Sequence, residues 1–383
     1  MILKHYLYST NWSETLDASL DSANTLIIFF GTSKQELIQK PLDEIKKTFP
    51  NSVLIGSSTA GEISMDEIHE DSVVVAILKF QNTKIKLTTE SIQSAKDSFL
   101  AGEKIASTLK ADDLKNIFIL SDGLNVNGSQ LTHGLNSVLG DSVVISGGLA
   151  GDGDRFESTW TIKDAKAQSH TISGVGFYGE QIQLGHGFKG GWDKFGIQRR
   201  VTKSVDNILY ELDNKPALDI YKKYLGEKAK ELPASGLLFP LEIQEDKEAA
   251  TKTVRTILAI NEDEKSITFA GDIPEGSFVS LMKANHDRLI EGAFNASQKV
   301  DLSTYDGEDI LSIAISCIGR KLVLKQRVED ELEATLENLP PKTKQIGFYS
   351  YGEISPKDST GQCDLHNQTM TLTLIWEKDA PSS

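Results

Sequence analysis

A chain of 383 residues can hold two ordinary domains, each burying its own core. Its hydrophobic fraction of 39% and charged fraction of 25% are those of a soluble globular protein, and a net charge of −15 argues against a nucleic-acid footprint of clustered Lys and Arg. No apolar run reaches the ~18 residues of a membrane span, the start MILKHYLYSTNWSE lacks the apolar segment of a signal peptide, and Cys317 and Cys363 are too few for a disulfide framework, so a cytoplasmic location is expected.

The first predicted strand is TLIIFFG, ending at Gly31: short, apolar and closed by a turn residue. An amphipathic segment follows, then IGSSTAGEIS (Ile55 to Ser64), His69 and the apolar run VVVAIL. The order then repeats. NIFILSDG ends at Gly123, Leu131, Leu135, Val138 and Leu139 recur at helical spacing, and ISGGLAGDG (Ile145 to Gly153), His170 and GVGFY follow. The glycine-dense LGHGFKGGWDKFG (Leu184 to Gly196) marks a composition shift and a candidate boundary.

Beyond it, IQRRVTKS and NILYELDN read as two strands around a turn. PALDIYKKYLG reads as a helix with Pro216 at its first position and Gly226 as its stop. SGLLFPLEI, TVRTILAI and SITFAGDI read as sheet strands, and Asn285 caps a predicted helix to about Val300 with Leu289, Ala293 and Ala296 on one face. The chain then returns to its opening pattern. LSIAISCIG ends at Gly319, Val328, Leu332, Leu336 and Leu339 keep helical spacing, and IGFYSYGEIS (Ile346 to Ser355), His366 and MTLTLI close the series.

Three diverged copies of strand, helix, strand, glycine-rich turn and strand are therefore expected. Gly31, Gly123 and Gly319 precede Gly61, Gly151 and Gly352 at nearly equal intervals, and His69, His170 and His366 each stand three residues before Ser72, Ser173 and Thr369. The expected fold class is mixed α/β, in two domains built from these three units with an inserted sheet. The N-terminal domain, 1–192, holds two units; the C-terminal domain, 193–380, holds the insertion and the third.

Catalytic signatures are missing from this sequence: there is no G-x-S-x-G and no H-E-x-x-H. GSSTAG (Gly56 to Gly61) has phosphate-loop spacing, but Glu62 stands where a lysine should meet the phosphates. GHGFKG (Gly185 to Gly190) matches G-x-G-x-x-G with no helix following. Glu62, Asp152 and Glu353 share the place after the turn glycine, suited either to capping backbone N–H groups or to touching a ligand. His186 and His366 are the histidines placed for a ligand, whereas Cys317 at a strand end reads as a buried thiol.

The expected pocket lies in the C-terminal domain, at the ends of the strands carrying Cys317 and Phe348. There SCIGR delivers Arg320, and GFYSYGE delivers Tyr349, Tyr351 and Glu353. These groups suit a small zwitterion or a porphyrin propionate, and His366 and Asn367 in CDLHNQT complete the candidate set.

GSSTAGEIS, SGGLAGDG, RRVTKS with LDNKPALDIY, SCIGR and GFYSYGEIS…LHNQTMTLTL, in that order and over almost the whole chain, resemble the FIST proteins with their N- and C-terminal FIST domains. The resemblance implies a ligand-binding sensor of bacterial signal transduction. No output domain is read here, so the chain is expected to be similar to the stand-alone members, which act on a separate partner such as a histidine kinase. Those members include the nitric-oxide-sensing NosP group, which brings haem b into view. The resemblance carries over no haem-ligand pattern; if haem is bound, His366 is preferred over His186 as iron ligand, because Leu365 and the strand from Met370 would hold its ring whereas His186 lies among glycines. The alternatives are an amino-acid or other metabolite sensor without haem, and an enzyme using Glu353 and His366 for proton transfer. Binding rather than catalysis is the expectation.

Overall fold

Six strands recur in one order through three units, and the units exchange a piece. The computed structural model describes residues 1–246, 252–307, 309–356 and 362–378. The first unit contains β1 (Ile2–Tyr8), β2 (Thr25–Thr32), α1 (Gln35–Thr48), β3 (Val53–Thr59), a hairpin of β4 (Glu62–Ser64) and β5 (Glu67–His69), and β6 (Val73–Lys79). The second contains β7 (Lys84–Ser91), α2 (Ser98–Leu109), β8 (Leu114–Ser121), α3 (Gly128–Leu139), β9 (Val144–Leu149), a hairpin of β10 (Thr161–Lys163) and β11 (Lys166–Gln168), and β12 (Thr171–Tyr178).

The third unit opens with β13 (Ile182–Lys189) and is then interrupted. The insertion comprises β14 (Trp192–Val205), β15 (Ile208–Leu212), β16 (Lys215–Pro216), α4 (Ala217–Leu225), β17 (Leu241–Gln244), β18 (Thr253–Arg255), β19 (Ile257–Asn261), β20 (Ser266–Phe269) and β21 (Phe278–Ala284). The unit resumes with α5 (His286–Gln298), β22 (Leu311–Cys317), α6 (Ile318–Leu324), α7 (Val328–Leu336), β23 (Lys344–Ser350), β24 (Gly352–Pro356), β25 (Cys363–His366) and β26 (Met370–Glu377).

In each unit the two central strands are parallel, joined by a helical crossover: β2 with β3, β8 with β9, β22 with β23. Both faces of these strands are covered, which is why they read as continuous apolar runs. The three sheets then have one strand order, β1-β6-β2-β3-β10-β11, β7-β12-β8-β9-β24-β25 and β13-β26-β22-β23-β4-β5. Each is completed by the hairpin of another unit: the first accepts from the second, the second from the third, and the third from the first. Hairpins this short are not stable alone, and the open edges of β3, β9 and β23 would be unpaired without them. The exchange serves both needs.

The repeated Ser/Ile-Gly of the three phrases has a packing cause. A Cβ on Gly56 would lie 2.3 Å from the Phe29 carbonyl oxygen, on Gly147 1.8 Å from that of Ile119, and on Gly347 1.8 Å from that of Ala314. Each glycine thus lets the second strand pass close to the first. The apolar centre between the sheets draws Phe30, Phe118, Phe177 and Phe348 from all three units, with the Phe30 and Phe348 rings 4.7 Å apart.

The insertion forms an eight-stranded antiparallel sheet curled into a half-barrel around its own apolar core of Leu209, Leu218, Tyr221, Ile267 and Phe269. The helices ending at Gly226 and starting after Asn285 form as expected; the Asn285 side chain accepts from the Arg288 N–H. SGLLF differs. It makes a 3₁₀ turn, Ala234–Leu238, and only Leu241–Gln244 is strand. TVRTILAI is broken at Thr256, whose N–H bonds the Asn367 side chain instead of a sheet neighbour. GHGFKG lies along β13 and its turn into β14, so no helix starts from it as a dinucleotide site requires.

Strand pairing runs across residue 192 in several places. β13 pairs with β26, β4 with β23, and β24 with β9.

Candidate functional site

The carboxylates after the turn glycines divide between two tasks. Glu353 accepts from the Ser350 hydroxyl (2.6 Å), the Thr369 N–H (3.1 Å) and the Thr369 hydroxyl (2.9 Å). Glu62 repeats the pattern with the Thr59 hydroxyl and with the N–H and hydroxyl of Ser72. Both are buried, and desolvation raises their pKa values, to about 8 for Glu353 and about 7 for Glu62. Asp152 instead accepts the N–H groups of Phe156, Glu157 and Ser158 and the Tyr351 hydroxyl. In that unit Asp122 takes over the strand entry, accepting the His170 N–H at 2.6 Å. Residues Asp71, His170 and Gln368 all have left-handed backbone just before the last strand of their unit, β6, β12 and β26. The histidine echo is therefore out of register in the second unit, where His170 itself is the left-handed residue.

Arg320 and Tyr349 are fully buried. The Arg320 guanidinium pairs with Glu331 at 2.6–2.7 Å and donates to the carbonyls of Leu289 (2.8 Å) and Gln368 (3.4 Å). Glu331 also accepts from the Tyr349 hydroxyl (2.7 Å) and from Ser316 (3.2 Å). Burial first, then the Glu331 charge, pushes the Tyr349 phenol well above its ordinary pKa. Tyr351 stacks on Phe156 with centroids 5.0 Å apart, and its carbonyl accepts from the Asn367 amide at 3.1 Å.

These buried groups share a consequence: they hold the segment His366–Thr369 from below. That segment floors a cleft of about 430 Å³ between the third unit and the inserted sheet. One wall is the β13–β14 turn, Phe188 to Trp192, with the Trp192 indole N–H on the Gln368 carbonyl at 3.1 Å. The other wall is Thr253 and Val254 of β18 with Met282 of β21. His366 is half-buried, with its ring 4.4 Å from that of Phe188 and Nε2 3.3 Å from the Ser355 carbonyl. Asn367 bridges the bodies, accepting the Thr256 N–H at 3.2 Å.

Of the six residues expected to meet ligand, His366 and Asn367 line the cleft. Arg320, Tyr349, Tyr351 and Glu353 lie beneath it, bonded to its floor directly or through Glu331. His186 stands on β13 with neither ring nitrogen hydrogen-bonded among the described residues, and burial lowers its pKa to about 4. Sequence reasoning missed Glu331, although a carboxylate between Val328 and Leu332 on the apolar face of α7 was a visible signal. It also missed the cations around the cleft, Lys189, Lys252, Arg288 and Lys299. No local pattern joins those four, because only the fold brings β13, β18 and α5 together.

A second cleft, of about 780 Å³, occupies the corresponding corner of the second unit. It lies between Ala95 just past β7, His170 before β12, and Ile208, Leu258 and Thr268 of the inserted sheet. The insertion thus covers both corners.

The model of the FIST N domain matches residues 25–215, and that of the FIST C domain residues 217–356. The uncharacterized protein MJ1623 of Methanocaldococcus jannaschii is 27% identical to this chain, over 97% of it and 77% of the relative.

Proposed function

The chain belongs to the FIST family, and on that premise we propose that it is a signalling sensor that binds a small ligand in the cleft over His366–Thr369 and acts on a separate partner such as a histidine kinase. The family implies a sensory role, and one observation carries the location. The cleft floor is tied to two bodies at once: to the third unit through Glu353, Tyr351 and Arg320, and to the inserted sheet through Thr256. A ligand seated there touches both and can change how one rests on the other.

A metabolite without haem fits this cleft better than haem b. His366, the histidine present, has its ring face against Phe188 and Nε2 toward the Ser355 carbonyl. Iron ligation would require the ring to leave that arrangement. In the same way, Glu353 and His366 stand opposite each other in the β24–β25 pairing, yet the carboxylate is held by Ser350 and Thr369 and the imidazole points to Ser355. That arrangement favours a binding protein over a proton-transfer enzyme.

The test is a thermal-shift screen of amino acids, organic acids and phosphate esters on the full chain, with an absorbance spectrum after growth with haem precursor. We expect a ligand that raises Tm in the wild type and loses its effect in His366→Ala, and no Soret absorption. A Soret band lost in His366→Ala would restore haem. Ligand effects indifferent to His366→Ala would move the site elsewhere.

A further inference from the structure

We propose that the cleft takes a small organic anion, whose carboxylate or phosphate oxygens are held by Lys189 and Lys299 of the third unit and met by Lys252 from the inserted sheet. The inference rests on the reading of this cleft as the ligand site and names the class of ligand.

Charge distribution is the first argument. The chain has 55 acidic against 40 basic residues, yet among the described residues that line it the cleft gathers Lys189, Lys252, Arg288 and Lys299 around one carboxylate, Asp364. Arg288 is paired with Asp193 at 3.2 Å. Among the described residues, Lys189, Lys252 and Lys299 make no ion pair. On so acidic a molecule, three uncompensated ammonium groups at one concavity focus positive potential there.

Position is the second argument. Lys299 lies over the Phe188 ring, 5.2 Å from its centroid, and reaches the Phe188 carbonyl at 3.4 Å. Partial burial and then the neighbouring Lys189 charge lower its pKa. The ammonium is thus held at the cleft beside a like charge, and an anion between them would relieve both penalties.

The third argument comes from the repeat. The corresponding cleft of the second unit is lined by one arginine, Arg155, and one glutamate, Glu157. Its charges balance, so the cationic surplus is not a by-product of the fold. Trp192, Met282 and the Phe188–His366 pair leave an apolar and aromatic surface for the body of the ligand. Because Lys252 approaches from the insertion, an anion bound by all three lysines would draw the two bodies together.

The experiment is isothermal titration of the full chain, at constant ionic strength, with inorganic phosphate, pyrophosphate, malonate and benzoate, and with glycine betaine and spermidine as neutral and cationic contrasts. We expect at least one anion to bind, more weakly as salt rises, and to bind at least tenfold more weakly to Lys189→Ala/Lys299→Ala. The phosphate and carboxylate probes separate the two anion chemistries. If that variant fails to fold, the exposed Lys252→Glu reads the same loss. Absence of binding by all four anions overturns the proposal, as does anion binding unchanged in the lysine variants, which would place the anion at another site. Binding of glycine betaine or spermidine that is lost in His366→Ala overturns the anion while leaving the cleft as the ligand site. If neither these probes nor any compound in the screen binds, the reading of the cleft falls with it.

Discussion

Glu353 holds Thr369 twice, through the backbone N–H and through the hydroxyl, at the point where the floor of the cleft enters β26. Glu62 holds Ser72 in the same way at the entry to β6. The shared Gly-Glu-Ile-Ser of the two phrases is thereby a device for pinning a strand across the turn, and in the third unit the pinned segment is also the cleft floor.

That device makes stability depend on pH. Burial pushes the folded pKa of Glu353 up to about 8 and that of Glu62 to about 7, from an ordinary value of 4.5. Raised carboxyl pKa values stabilise the folded state fully below pH 4.5 and lose that contribution as pH rises through 7 and 8, by at most about 1.4 kcal/mol per pH unit for each group. His5 and His186, depressed from 6.5 to about 4, act in the opposite sense, but only between those values. Tm should therefore fall from pH 6.5 to pH 8.5. In Glu353→Gln, which keeps an acceptor for Thr369 and carries no charge, thermal melts should show a shallower decline and a higher Tm at pH 8.5. An unchanged slope would mean that Glu353 does not titrate in this range.

Arg320→Ala should destabilise the protein by about 3–5 kcal/mol, because it leaves Glu331 buried without its cation. The double variant Arg320→Met/Glu331→Leu, which removes both charges, should recover at least half of that loss in denaturant melts. A mild Arg320→Ala phenotype would show that the buried Arg320–Glu331 pair contributes little to stability.

Gly347→Ala should cost about 3 kcal/mol or more, or prevent folding, since its Cβ would meet the Ala314 carbonyl oxygen. Gly56→Ala should behave similarly against Phe29. At Gly190 the nearest atom to an added Cβ is 3.8 Å away, so Gly190→Ala serves as the tolerated control. Comparable midpoints for Gly347→Ala and Gly190→Ala would reject the packing explanation.

A fragment of residues 1–192 keeps two units but lacks β24, which covers the β9 edge, and β23, which holds the β4–β5 hairpin. It should aggregate or melt without a cooperative transition, and should regain one when co-expressed with the remainder. A soluble, cooperatively folding 1–192 would show that the exchange is dispensable.

Much of the architecture was legible in the sequence because its signals are local. A strand buried on both faces must be an apolar run, as in TLIIFFG, and a crossover helix must carry an apolar stripe, as Leu131, Leu135 and Leu139 do. The three-fold repetition and the special glycines follow from the same kind of signal, since one backbone contact demands one residue type at one place. The exchange of hairpins did not follow. β4 and β5 have the same local pattern whether they return to their own sheet or complete another, and only the assembled edges select the partner.

The candidate site divides in the same way. His366 and Asn367 were singled out from CDLHNQT, just before the last strand, and the structure seats them in the cleft. Arg320 and Tyr349 were singled out for chemistry that suits a ligand, but Glu331, on a helix between them and solvent-free, supplies the countercharge inside the fold. Whether a guanidinium meets a ligand or a buried carboxylate depends on distance through space, which residue order does not encode. For the same reason the cationic cleft was invisible along the chain: Lys189, Lys252 and Lys299 belong to segments far apart in sequence, and only the packing of the inserted sheet on the third unit brings them to one concavity.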